Sequence, residues 1–177
     1  MEITDYNGDG RWTRTAIIER YNRFAAEAGV SLRDLSPMEH WERGRHWVYP
    51  VMDKVIDGIK AADPACIRLG IEFIEEDGKF PFGRILKSNT ARALRRAALS
   101  DEQRQRIRRR VLSMLRAWNV PHEFGEYAKL VKKIGLCESD MGDVPGTRDE
   151  SKGTFYFSRG AGGPKLSSCH EKPLCEL

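Results

Sequence analysis

The chain has 177 residues and carries 30 lysines and arginines against 26 aspartates and glutamates, a formal net charge of +4 with histidine neutral. A hydrophobic share of 40% and a charged share of 32% suit one buried core and exclude a collagen-like, mucin-like or wholly disordered chain. No apolar run approaches the roughly 20 residues of a membrane-spanning helix, and Met1-Glu2-Ile3-Thr4-Asp5 lacks the basic and apolar regions of a secretory signal, so the sequence reads as cytoplasmic with no membrane partner.

Residues 1–12 read as a polar turn. Within them Asp5-Tyr6-Asn7-Gly8-Asp9-Gly10 resembles the opening of EF-hand-like calcium loops, which set oxygen ligands at alternating positions, here Asp5, Asn7 and Asp9, and bend at a glycine. The twelfth position is Ala16 where that family has an acidic residue. A calcium site would need Glu19 to close it, and a polar turn is the simpler reading.

After Thr13, Ile17, Ile18, Tyr21, Phe24, Ala25 and Ala28 recur at helical spacing until Gly29. Ser36-Pro37-Met38-Glu39 has the spacing of a capping box and predicts a short helix ending near Gly44. His40, Trp41, His46, Trp47 and Tyr49 form an aromatic group there, read as packing, because histidines six apart do not share a helical face. Pro50 opens a helix whose stripe is Val51, Met52, Val55, Ile56 and Ile59. Asp63-Pro64 opens the next, carrying Ile67, Leu69, Ile71, Phe73 and Ile74 and closed by Glu75-Glu76-Asp77-Gly78. So short a turn between them requires antiparallel packing. Phe80-Pro81-Phe82-Gly83 then offers aromatic rings to that pair. Helical periodicity resumes from Ile85 to Ala98. Ser100-Asp101-Glu102-Gln103 is a second capping box, followed on one face by Ile107, Val111, Met114, Leu115 and Trp118. Val120-Pro121 leads to a last helix using Phe124, Tyr127, Ala128, Val131 and Ile134. No strand-type alternation competes within residues 13–135.

The expected fold is therefore all-α, five to six helices in residues 1–135. Helix starts at Asp63 and Ser100 lie 37 residues apart, which suits a short HEAT-like stack of helix pairs as well as a small bundle. Residues 136–177 read as an extended or partly disordered tail in which only Thr154-Phe155-Tyr156-Phe157 resembles a strand.

Charge is unevenly distributed. Residues 1–83 carry a net −4, residues 84–133 a net +10 and residues 134–177 a net −2. At about 100° per residue, Arg106, Arg109, Arg110 and Arg116 fall in one arc of their helix, with Arg92, Arg95 and Arg96 on the helix before. Packed side by side, these helices would merge their arginines into a surface for phosphates, whose paired oxygens suit the guanidinium fork. The plainer alternative is a solvated helix face. The acidic run Glu72, Glu75, Glu76 and Asp77 is most simply a solvated helix end, although such residues can also hold a general acid. Cys137, Cys169, His170 and Cys175 supply zinc-ligand types without zinc-module spacing, and Cys66 lies on an apolar face. No phosphate-cradling glycine loop, nucleophile elbow or paired-histidine motif occurs. These features point to a non-catalytic binding module for an anionic partner, nucleic acid first. The alternative is a protein-interaction domain with a contact surface of Trp41, Trp47, Tyr49, Phe80 and Phe82; a helical-repeat enzyme acting on nucleic acid comes third.

Overall fold

Thr13, Asp63 and Ser100 each open a helix through a side-chain cap. The computed structural model describes residues 2–76 and 80–136, and the backbone of 147–149, 154–156 and 165–167. Asp63 caps α3 (Pro64–Glu75), its Oδ1 accepting from the amides of Ala65 and Cys66 at 2.9 and 3.1 Å. Its other oxygen accepts from the Tyr21 hydroxyl at 3.0 Å, which ties α1 (Arg14–Ala28) to the start of α3. The capping box at Ser100 closes on both sides with Gln103 and opens α5 (Asp101–Arg116). Between and after these lie α2 (Val51–Lys60), α4 (Gly83–Leu94) and α6 (Phe124–Ile134).

The helices gather round α3, which packs against α1, α2, α4 and α5, whereas a linear stack of pairs confines each helix to near neighbours. Tyr21, Phe24, Ile59, Leu69, Ile71, Phe73, Leu94, Ile107, Tyr127 and Leu130 are fully buried in the core. Close approach of α2 and α3 depends on glycine: a Cβ on Gly58 would stand 2.2 Å from Cys66 Sγ. Phe80 packs inward as expected, its ring 4.9 Å from that of Phe73.

The all-α expectation needs correction, because a three-stranded sheet accompanies the six helices. The short helix foreseen at Ser36–Gly44 is a β-hairpin of β2 (Glu39–Glu42) and β3 (Arg45–Val48), joined by Arg43-Gly44. Both turn residues have positive φ, 47° and 75°, which an α-helix excludes and a two-residue hairpin loop requires. The Glu39 carboxylate, which the capping box would have used, instead meets His46 Nε2 at 2.9 Å. Nor are residues 1–12 only a turn. Residues Glu2–Asp5 form β1, which pairs parallel with β3 to give the order β1-β3-β2, and a 3-10 turn at Gly10–Trp12 follows. Trp118 also departs from expectation: α5 stops at Arg116, and Trp118 follows at φ 51° with 58% of its surface exposed.

The chain divides after Leu136. In the second unit β4 (Thr147–Asp149), β5 (Thr154–Tyr156) and β6 (Lys165–Ser167) pair antiparallel in that order, so the tail holds three short strands where one was expected. The candidate zinc ligands Cys137, Cys169, His170 and Cys175 lie outside the described residues.

Candidate functional site

The seven arginines picked out from the sequence divide into two groups. α4 packs against α2, α3 and α6, and α5 against α3 and α6, so the two helices turn their inner arginines to different partners. Arg106 grips Glu75 of α3 with both arms of its guanidinium, at 2.9 and 2.5 Å, and that hydrogen bonding holds its charge more firmly than usual. Arg110 donates to the carbonyl of Ile74 at 3.2 Å. Arg92 and Arg95 both approach the Glu126 carboxylate of α6 at 3.3 Å. These four contribute to helix packing. Arg96, Arg109 and Arg116 are exposed and make no ion pair among the described residues.

On the α4–α6 face the Glu126 carboxylate is held tightly. Lys129 donates to it at 2.9 Å, and hydrogen bonding from Lys129 and then Arg92 draws its carboxyl below the ordinary glutamate range. One carboxylate thus faces Lys129, Arg92 and Arg95, and the cations are in excess.

The end of α3 is no solvated run. Glu72 binds Arg11 and Arg20, each at 3.0 Å, and Glu76 binds Arg11 at 2.8 Å and accepts from Trp12 Nε1 at 2.6 Å. Arg20 lies 4.3 Å over the Trp12 ring; its burial, then the neighbouring Arg11, lowers its pKa against the pull of Glu72. Four acidic residues looked solvated because the arginines that cover three of them come from distant segments. Asp77 lies outside the described residues.

In the calcium-like segment, Asn7 donates from its backbone and side-chain nitrogens to Asp5 Oδ1 at 2.8 and 2.7 Å. The Asn7 side-chain oxygen accepts from the Val51 amide at 2.8 Å, so it serves the start of α2. Asp9 precedes the 3-10 turn without capping it through its side chain. Among the described residues no group of three or more His, Cys, Asp or Glu is placed to hold a metal ion.

The aromatic residues are also divided. Trp41 stacks on His46 at 3.5 Å, and His40 on Trp47 at 5.3 Å, in adjacent cross-strand pairs that point to opposite faces of the sheet. Phe82 instead joins Tyr6, 5.0 Å away, and Tyr6 meets Tyr49 at 6.0 Å.

A group that the sequence reading passed over lines a cleft between α4 and the start of α6: Arg84, Ser88, His122 and Glu123, beside Arg92 and Glu126. Its one sequence signal is the spacing of Arg84, Ser88 and Arg92, four apart along one helix face. No helix among the described residues is long and apolar enough to cross a membrane. Compared with protein-family models, curated proteins and solved structures, the chain matches none.

Proposed function

We propose that the helical unit is a non-catalytic binding module that engages an anionic partner, nucleic acid first, through outward cations of α4, α5 and α6. The observation that carries this reading is the excess of positive charge left after internal pairing: Arg96, Arg109 and Arg116 are exposed without an ion pair among the described residues, and Glu126 alone balances Arg92, Arg95 and Lys129. Phosphate backbones release counterions on meeting such a surface, so a few unpaired arginines suffice for binding at low ionic strength. The exposed Trp118 adds a ring on which a base can stack. A cytoplasmic setting fits this partner.

Arg106 and Arg110, both bound to α3, should not contribute. The R96Q/R109Q/R116Q variant is expected to lose low-salt retention of single-stranded or duplex nucleic acid while keeping its melting temperature, and R106Q is expected to retain nucleic acid. Retention by the triple variant equal to that of the parent chain would overturn the reading.

A further inference from the structure

A cleft of about 310 Å³ opens between α4 and the start of α6. One wall is the α4 stripe Arg84, Ile85, Ser88, Asn89 and Arg92; the other is His122, Glu123, Gly125 and Glu126. The volume stands at the lower end of the roughly 300–1,000 Å³ of small-molecule sites, enough for one nucleotide-sized ligand.

Arg92 is held at the rim from two sides, its Nε 3.3 Å from Glu126 and its Nη1 3.4 Å from Asn89 Oδ1. A guanidinium fixed in this way keeps further N–H groups for a ligand and loses less freedom on binding. Arg84 is exposed with no ion pair among the described residues. The lining sets Arg84 and Arg92 against Glu123 and Glu126, and Arg95 and Lys129, which pair with Glu126 from outside the lining, tip the surroundings positive. The half-buried Glu123 carboxylate also has no ion pair among the described residues and can only accept hydrogen bonds, as ribose hydroxyls require. Ile85, 59% exposed, sets an apolar surface on the same rim. Arg84 and Arg92 stand about two turns apart along the cleft wall, and a guanidinium there favours a phosphate monoester, which carries about −1.5 to −2 near pH 7, over a singly charged diester.

We propose that the α4–α6 cleft holds one nucleoside monophosphate, as a free nucleotide or as the phosphorylated end of a strand. The strand form rests on the nucleic-acid reading above; the free form does not.

Gly125 allows a direct test, since it lines the cleft and a Cβ there would meet nothing within 4 Å, so a bulky side chain can be placed beside the ligand without clashing with the core. Calorimetric titration of the full chain with AMP, adenosine and inorganic phosphate should show AMP binding at least about tenfold more tightly than either fragment, as expected when charged and apolar contacts combine. R84Q should weaken AMP binding about tenfold, the loss of one charge-assisted contact. G125M should abolish AMP binding with the melting curve unchanged. AMP binding no tighter than adenosine, or unaltered in G125M, overturns the proposal. Short RNAs with and without a 5′-phosphate separate the sources: a phosphate preference lost in G125M supports the strand end, and AMP binding without that preference supports the free nucleotide. RNA bound without AMP binding overturns the cleft proposal and leaves the nucleic-acid reading standing; AMP bound without any RNA does the reverse.

Discussion

Arg106 and Arg109 lie three residues apart on α5, yet one is locked to Glu75 through both arms and the other is exposed without an ion pair among the described residues. The sequence showed both on one arc, but not that Glu75, 31 residues earlier, would claim one of them. R106Q should therefore destabilise the fold by about 1.5–3 kcal/mol, the range for a hydrogen bond to a charged group, measured by urea unfolding. R109Q should leave the midpoint in place. Cys66 was legible, because its place on an apolar stripe implies burial. Burial pushes its thiol from 9.0 up to about 12. The unfolded chain ionises this thiol first, so stability should fall as pH rises from 9.0 towards about 12, and C66A should remove that part of the slope. At pH 8 the folded chain should resist alkylation at Cys66, while the urea-unfolded chain reacts, as peptide mass mapping would show.

At the scale of elements, helix starts were readable wherever a cap acts locally, as at Asp63 and Ser100. The Ser36 motif has the same capping-box spacing as Ser100 but begins no helix, and Glu39 is engaged by His46 on the opposite strand. A hairpin signal was present in His40-Trp41-Glu42-Arg43-Gly44-Arg45-His46-Trp47, where two His-Trp pairs flank a dipeptide ending in glycine and meet across the strands. Its strands are four residues each and β2 is exposed throughout, so hydrophobic alternation could not reveal it. The contact of α2 with α3 leaves no room at Gly58. Gly58→Ala should destabilise by about 1–3 kcal/mol despite the better helix propensity of alanine, because Cys66 Sγ stands 2.2 Å from the new carbon. Gly125→Ala meets nothing within 4 Å and should be neutral or stabilising by up to about 1 kcal/mol. Thermal unfolding of both variants checks the contrast.

For the whole molecule, a net charge of +4 conceals a strongly basic stretch from Arg84 to Lys133. The sequence located that excess, but its division between packing and surface depends on which helix supplies each acidic partner, α6 giving Glu126 to α4 and α3 giving Glu75 to α5. Long-range contacts of this kind leave no local mark in the chain, and the cleft between α4 and α6 was hidden for the same reason. The unpaired cations are expected to meet phosphates. The most direct test is the salt dependence of affinity for a labelled duplex, measured by fluorescence anisotropy on the full chain. The logarithm of affinity should fall linearly with the logarithm of salt, with a slope of about −3 or steeper that lessens by about 1 for each of R96Q, R109Q and R116Q. No binding at low salt, or an affinity that does not change with salt, would contradict the claim.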